Sequence, residues 1–202
     1  MKSQKAQFVI IALFTALLMN CGRQKPGAPR ATFTKADSLT DCYLDYQDSI
    51  LQSWNVMIND DNQKIKAMHN LLHELLITST DDRDELRSFE EELAQLANMR
   101  YNQQSLGDED VVEEYDFASA ALVTGLISMA EAKPEFPYNK TLQNLVEEIR
   151  LADQRVINYR EEYDYIVAQY NGFLERNRIY LDEMSVGDTM HQKHLFRMIA
   201  GE

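Results

Sequence analysis

The chain has 202 residues, of which 45% are hydrophobic, and it contains only seven glycines and four prolines. This length predicts one domain, and the apolar content is enough to form a buried core. So few glycines and prolines argue against a β-sandwich, a β-barrel or a disordered polymer. The formal net charge is −13, and it becomes −15 without residues 1–20, which hold two lysines and no acid. Such a surface repels phosphate backbones, so we expect no nucleic acid partner.

Residues 1–20 are typical of a secretion signal. Two lysines precede the apolar run 8–19. As a helix this run would reach about 18 Å, which is too short to cross a hydrocarbon core of about 30 Å. It ends in the sequence LMNCG at residues 18–22, which resembles a bacterial lipobox, the site at which a lipoprotein is acylated on cysteine. We therefore expect a lipid on Cys21, although Asn20 replaces the usual small residue. The alternative is an ordinary signal peptide with an incidental cysteine.

Residues 21–36 hold two glycines and two prolines and show no apolar periodicity. This composition predicts a flexible, acylated tether between the lipid and the fold. Cys42 is the only other cysteine in the chain, and it has no partner for an internal disulfide if Cys21 is lipidated. Two interpretations of Cys42 remain, an inert side chain on the first helix and a disulfide between two chains, because cysteines are oxidised outside the cytoplasm.

A long first helix is predicted from Asp37 or Ser38 to about Ile77. Its expected buried positions recur at steps of three and four, which is the spacing of one helix face. They are Leu44, Gln47, Leu51, Trp54, Ile58, Asp61, Ile65, Met68, Leu72 and Leu75. The two polar positions in this stripe can fix the register of a helix pair at some loss of stability. Residues 59–62 are the weakest helical stretch and predict a kink.

Two shorter helices are predicted next. A turn at residues 78–81 is followed by acidic side chains, which suit the positive end of a helix. Helix 2 then runs to about residue 105, and its expected buried positions are Leu86, Phe89, Leu93 and Leu96. Helix 3 opens at residue 108 and ends before the prolines of residues 133–137. Its expected buried positions are Val112, Tyr115, Ser119, Leu122, Leu126 and Met129, and its small residues Ala118, Ala121 and Gly125 predict the close approach of a neighbouring helix.

The longest helix is predicted from the N-cap Asn139 to Met184, because no proline interrupts this stretch. Its apolar residues form a heptad stripe. They are Leu142, Leu145, Ile149, Ala152, Val156, Tyr159, Tyr163, Ile166, Tyr170, Phe173, Tyr180 and Met184. Short connections predict that helices adjacent in sequence are antiparallel neighbours. The expected fold class is therefore all-α, an up-down-up-down bundle of four antiparallel helices over residues 37–184. Helices 1 and 4 would be much longer than helices 2 and 3 and extend as a two-helix stalk on the membrane side.

Residues 185–202 form a short C-terminal tail. Its apolar positions are Met190, Leu195, Phe196, Met198 and Ile199. This pattern predicts a short amphipathic fifth helix that folds back onto the aromatic residues of the stalk. A partner could displace it, because short helices are marginal without packing.

The segment 121–171 resembles the signature of LemA-family proteins. In that signature a Leu-rich helix and a proline turn are followed by acid-x-Arg-aliphatic, a second Arg, and then Tyr and Asn at fixed spacing. The matching residues are Asp153, Arg155, Val156, Arg160, Tyr163, Val167, Tyr170 and Asn171, with weaker matches upstream at Trp54, Asn70, Leu71 and Arg100. The chain departs from the family pattern at Asp164, where Asn is usual, at Leu174, where Pro is usual, and at residues 63–64, where paired basic residues are usual.

The resemblance implies a long-helix bundle at the bacterial cell envelope, held at a membrane through the lipid on Cys21 where the family usually has an N-terminal membrane helix. The family has no agreed enzymatic activity, so we expect no enzyme, no catalytic residue and no cofactor. The expected function is that of an interaction or scaffold module that binds another envelope protein. The sequence leaves its oligomeric state open.

The alternative is a helical bundle that binds a small molecule or a metal between its helices. A carboxylate-bridged metal site needs Glu-x-x-His on two helices, and that motif does not occur in the chain. His69 and His73 are one helical turn apart but lie beside the expected stripe, so partly exposed histidines are the simpler interpretation. Asp153 and Arg160 each follow a stripe position by one residue. They are expected to be half-buried partners across helices, and for Arg160 a solvated flank is the alternative.

Overall fold

Four α-helices and one 3-10 turn make up the computed structural model, which describes residues 34–78, 82–183 and 190–196. The elements are α1 (Lys35–Thr78), α2 (Arg83–Asn98), the 3-10 turn Ser105–Gly107, α3 (Glu109–Glu131) and α4 (Lys140–Glu183). These ranges contain no strand. The predicted all-α class is therefore confirmed, while the predicted signal peptide, Cys21 and most of the tether lie outside the described residues.

The described residues from Ala36 onward belong to one compact unit. Within the ranges that the structure describes, no helix has an apolar stretch long enough to cross a membrane. The two outer helices each contain 44 residues, whereas α2 contains 16 and α3 contains 23. At 1.5 Å per residue, each outer helix is about 66 Å long.

The start of α4 follows local chemistry that the sequence indicates, whereas α1 starts earlier than predicted. The Oδ1 atom of Asn139 accepts hydrogen bonds from the backbone N–H groups of Thr141 at 3.0 Å and Leu142 at 3.2 Å. Asn139 is therefore the N-cap of α4, as predicted. The helix α1 begins at Lys35, two residues before the predicted start, and it continues without a break through residues 59–62.

The helix α2 ends at Asn98, several residues before the predicted end near Ser105. Asn102 supplies the physical reason. Its Oδ1 atom accepts hydrogen bonds from the backbone N–H groups of Gln104 at 2.9 Å and Ser105 at 3.1 Å. Such a side-chain bond satisfies backbone donors outside a helix and so competes with helix continuation. The early end allows Tyr101 to become buried in the core.

The predicted buried stripe of α1 is wrong at Leu44 and Leu51, which are 52% and 54% exposed. Ile50 is buried in place of Leu51, whereas the predicted residues Trp54 and Ile58 are partly buried and pack against the core. The buried face passes through Leu39, Ile50, Ser53, Met57, Asp60, Lys64, Met68, Leu71 and Leu75. Apolar periodicity missed this face because three of its members are polar. In the second half, the predicted residues Ile65, Met68, Leu72 and Leu75 are buried.

The stripes of the other helices agree better with the prediction. On α4, Leu142, Ile149, Ala152, Tyr163, Tyr170 and Phe173 are buried, while Tyr180 is exposed and its neighbour Leu181 is buried in its place. On α2 and α3, Leu86, Leu93, Leu96, Tyr115, Ser119, Leu122 and Leu126 are buried. The face of an ideal helix rotates slowly relative to a strict heptad repeat. Along a helix as long as α4, the buried position therefore moves to an adjacent residue, as from Tyr180 to Leu181.

Gly125 lies where α2 approaches α3. A Cβ atom at this position would lie 2.7 Å from the ring of Phe89, which is closer than side chains tolerate. The predicted role of Gly125 in close helix approach is therefore confirmed. Ala121 is exposed and has no such role.

Side-chain contacts join α1 to α4 in opposite order along the two helices. Near the start of α1, the ring of Tyr46 lies 5.4 Å from the ring of Phe173, measured between centroids. Further along α1, Asp60 binds Arg155 with an N–O distance of 2.6 Å. Residue numbers therefore rise on α1 as they fall on α4, which is typical of antiparallel helices.

Two isoleucines of α4 provide a matched test of this packing. Ile149 is fully buried, whereas Ile166 is half-buried at the edge of the core. We expect Ile149→Ala to lower the free energy of unfolding by about 2 to 5 kcal/mol, because it removes buried methyl groups and leaves a cavity. Ile166→Ala should lower it by no more than about half as much, since less apolar area is lost from the core. Urea denaturation of both variants measures the difference, and equal losses would contradict the packing.

Candidate functional site

Charged and polar side chains from three helices meet at mid-length of α1, some buried in the core and others at its border. We call this set the polar layer. It consists of Asp60, Asp61 and Lys64 of α1, Tyr115, Asp116 and Ser119 of α3, and Asp153, Arg155 and Arg160 of α4. Burying a charge without a partner is costly, so the pairing of each member decides what the layer does.

Lys64 lies on the buried face of α1, and only 5% of its side chain is exposed. Its ammonium group donates a hydrogen bond to the Ser119 hydroxyl at 3.0 Å. It also lies 3.5 Å from Asp153 Oδ1 and 3.7 Å from Asp61 Oδ1. The second oxygen of Asp61 accepts a hydrogen bond from the Tyr115 hydroxyl at 2.5 Å. One lysine thereby links α1 to both α3 and α4.

Arg160 forms the second centre of the polar layer. Its two terminal nitrogens donate to the two carboxylate oxygens of Asp116, each at 2.6 Å, and one of them also donates to the Tyr101 hydroxyl at 3.1 Å. Burial opposes the charge on Arg160, but the hydrogen bonds to Asp116 and Tyr101 raise its pKa above the usual value. This two-point pairing with a carboxylate fixes both the position and the plane of the guanidinium.

A third ion pair joins α1 and α4 directly. Arg155 donates to Asp60 Oδ1 from two nitrogens, at 2.6 Å and 3.1 Å. The Asp60 side chain is 12% exposed, while that of Arg155 is 40% exposed. This pair lies at the border of the core and therefore adds more to register than to stability.

Aromatic rings pack against the Arg160 side of the polar layer. We call Trp54, Tyr101, Tyr163 and Phe196 the aromatic cluster. The ring of Trp54 contacts those of Tyr101 at 6.1 Å and Tyr163 at 5.5 Å, both edge-on. The guanidinium carbon of Arg160 lies 4.8 Å from the centre of the Phe196 ring. The rings and the cation therefore form one contact network.

Two buried polar atoms of this region have no hydrogen-bond partner within the described part of the chain, Arg160 Nε and the Tyr163 hydroxyl. Burial raises the pKa of Tyr163, and the nearby Asp164 raises it further. Burial and Asp61 together raise the pKa of Tyr115. These hydroxyls remain protonated at neutral pH and act as neutral groups.

Five of the residues that match the family signature belong to the aromatic cluster or the polar layer. Trp54 and Tyr163 belong to the aromatic cluster, and Asp153, Arg155 and Arg160 belong to the polar layer. Asp153 and Arg160 were expected to pair across helices, with a solvated flank as the alternative for Arg160, and both pair across helices. Asn70 is exposed on α1 and is not among the residues of either group.

Two further motif residues, Tyr170 and Asn171, hold the described part of the C-terminal tail. We call residues 190–196 the C-terminal strap. The Tyr170 hydroxyl donates to the His191 carbonyl at 3.2 Å, and Asn171 exchanges two hydrogen bonds of 2.9 Å with the main chain of Lys193.

The predicted fifth helix is not observed in residues 190–196, which have no regular secondary structure. The predicted return of the tail to the aromatic residues is observed, because Phe196 packs on Trp54 and Tyr163. Side chains of α4 satisfy the main chain of the strap, so the strap does not need helical hydrogen bonds.

The arrangement is suited to holding helices in register. The acids of the polar layer are paired with lysine, arginine or tyrosine, and no nucleophile faces a free base among them. Within residues 34–78, 82–183 and 190–196, no group of three His, Cys, Asp or Glu side chains could hold a metal ion. His69 and His73 are exposed, and Cys42 is a free, half-buried thiol.

The sequence reasoning missed four members of the network, Asp60, Lys64, Tyr101 and Asp116. Lys64 had a detectable signal, because it lies seven residues after Met57 and four before Met68 on the true stripe. A lysine at such a position predicts a buried partner. Asp116 and Tyr101 had no comparable signal, since only the fold brings them to Arg160.

Comparison with known proteins identified no matching family model, curated protein or solved structure. The resemblance to the LemA family therefore stays a prediction from the sequence motif.

Two tyrosines of this region provide a matched pair of Tyr→Phe variants. We expect Tyr163→Phe to be neutral or to raise stability, because it removes a buried hydroxyl without a partner. Tyr115→Phe should lower the free energy of unfolding by about 1 to 3 kcal/mol, because it leaves Asp61 without its hydrogen-bond donor. Chemical denaturation of both variants is the measurement, and a larger loss for Tyr163→Phe would contradict the assignment.

The buried tyrosines also predict a pH dependence of stability. Burial, with a smaller contribution from Tyr43, raises the pKa of Tyr170 to about 12 from a usual value of 10.0. The folded state therefore keeps this proton at pH values where the unfolded state loses it. The contribution of protonated Tyr170 to the free energy of unfolding is complete below pH 10 and is lost as the pH rises to about 12. Urea midpoints should fall across this window and fall less steeply in Tyr170→Phe, whereas the exposed Tyr165→Phe is the control that should match the wild type.

Proposed function

We propose that this protein is a lipid-anchored component of the bacterial cell envelope, of the LemA type, that acts without catalysis as an interaction or scaffold module. One observation carries the proposal. Five of the residues that match the family signature, Trp54, Asp153, Arg155, Arg160 and Tyr163, are engaged in pairs and packing that hold long helices together, as in the bidentate contact of Arg160 with Asp116. A signature made of such residues specifies a rigid frame and not a reaction centre.

The frame we propose is an up-down-up-down bundle in which α1 and α4 extend beyond α2 and α3 as a two-helix stalk. Its support is the opposite order of contacts along α1 and α4, together with the difference in helix length. Near the start of α1, the rings of Tyr43 and Tyr46 contact Tyr170 and Phe173 of α4. These ring contacts involve no residue of α2 or α3.

A second candidate function is a small-molecule or metal site between the helices. It is favoured by the two unpartnered buried atoms, Arg160 Nε and the Tyr163 hydroxyl, which a polar ligand could contact. Native mass spectrometry and a full metal scan of the untagged protein separate the two candidates. A stoichiometric bound molecule or metal would favour the second.

The anchoring part of the proposal is tested by exchanging the two cysteines separately. We expect the wild type, produced in a bacterium with a fatty-acid probe, to carry the probe and to partition into detergent. Cys21→Ser should lose both properties, because the acylated sulfur is gone. Cys42→Ser is the matched control and should keep both. A wild type without the probe would exclude the lipoprotein assignment.

A further inference from the structure

The C-terminal strap runs along α4 in the opposite direction to the helix. His191 lies beside Tyr170, whereas Phe196 lies further back along α4, where its backbone N–H donates to Asp164 Oδ1 at 2.8 Å. The His194 ring of the strap packs on Gly107 of the 3-10 turn so closely that a Cβ atom there would lie 2.8 Å from it, and a cavity of about 380 Å³ is lined by both residues. The strap thus occupies a groove between α4 and the start of α3.

The groove recognises the main chain of its occupant. Asn171 binds both the N–H and the C=O group of Lys193, as a neighbouring strand would. Asp164 and Tyr170 add one main-chain hydrogen bond each. Hydrogen bonds to main-chain atoms do not depend on the sequence of the bound segment, so any extended segment can satisfy them.

One side chain of the strap supplies the specific contact. The Phe196 ring stacks on Trp54 with a centroid distance of 6.3 Å, and meets Tyr101 and Tyr163 edge-on at 5.6 Å each. Arg160 lies over its face. An aromatic side chain fills this position, because three rings and one guanidinium surround it.

The charge of the strap is opposite to that of the rest of the chain. The strap contains one lysine, two histidines and no acid, in a protein of net charge −13. The Asp164 carboxylate lies in the groove, where it accepts the backbone N–H of Phe196. A basic segment is therefore favoured as the occupant.

We propose that this groove is a peptide-binding site for an extended, basic segment of a partner protein that presents an aromatic side chain at the Phe196 position. The strap occupies the site as an internal competitor and leaves it when the partner binds. The inference rests on the proposed interaction function and assigns the chemistry of the partner. A tethered segment has an effective concentration in the millimolar range, so a partner must bind tightly or locally to displace it.

The test uses full-length protein in detergent micelles and a synthetic peptide that copies residues 188–198. Trp54 is the only tryptophan of the chain and contacts the Phe196 ring, so its fluorescence reports on the site. Phe196→Ala removes the anchor of the strap while keeping the rest of the chain. We expect the peptide to change Trp54 emission saturably in this variant, and to bind the wild type at least about tenfold more weakly.

Three controls establish that the peptide occupies the groove. A peptide with alanine in place of Phe196 should not bind. Asn171→Ala in the Phe196→Ala background should weaken binding by about tenfold or more, because two main-chain hydrogen bonds are lost. Asn177→Ala is the matched variant, since its side chain bonds to the Phe173 carbonyl of its own helix, and it should leave binding unchanged.

The absence of a saturable change in the Phe196→Ala variant, with circular dichroism equal to that of the wild type, would overturn the proposal. If Phe196→Ala has reduced helicity, Asn171→Ala in the wild-type background is used in its place. This change also weakens the strap, so Trp54 emission should show greater exposure of the indole ring to solvent.

Concentration-dependent dimers of the wild type that Phe196→Ala dissociates would identify a second copy as the occupant and overturn the partner assignment. Fatty-acid labelling of Cys21 is measured separately, so failure of the peptide test leaves the anchoring result standing.

Discussion

The fold depends on the pairing of two buried cations, Lys64 and Arg160, with polar groups on other helices. Removing an ammonium or guanidinium group from water costs several kcal/mol unless carboxylates and hydroxyls replace the solvent. Lys64 is satisfied by Ser119 of α3 and Asp153 of α4, and Arg160 by Asp116 of α3. A shift of one helix by a single turn would separate these partners, so the polar layer favours one register of α1, α3 and α4.

The same arginine connects the frame to the groove. Its guanidinium lies between Asp116, which fixes its plane, and Phe196, which packs on its face. The position of the aromatic cluster therefore depends on the polar layer, and the strap depends on the cluster. Because each of these groups positions the next, residues of the motif on α4 can hold the helices together and also define a binding surface. Asn171 of that signature is not needed to hold two helices together, yet both ends of its amide are used by the strap.

Much of the fold could be predicted from the sequence because its signals are local. The Asn139 cap and the long proline-free stretch after it placed the start of α4 within one residue. Of the candidate site, Arg160, Tyr163 and Tyr170 were recognised as motif members. In the first half of α1, Leu44 and Leu51 were wrongly assigned to the buried face, because a count of apolar residues favours them over the buried residues Ser53, Asp60 and Lys64. A polar residue is recognised as buried only when its partner is known.

The sequence by itself determined the helical class, the helix ends with local caps, and the motif on α4, since each depends on residues within a few positions of one another. Only the tertiary structure decided that Asp116 and Tyr101 meet Arg160, and that the tail binds as an extended strap and not as a helix. The sequence separations behind the Arg160 contacts are 44 and 59 residues. The tail is extended because side chains of α4 replace the hydrogen bonds that a helix would have made within itself, and that replacement exists only once the chain has folded.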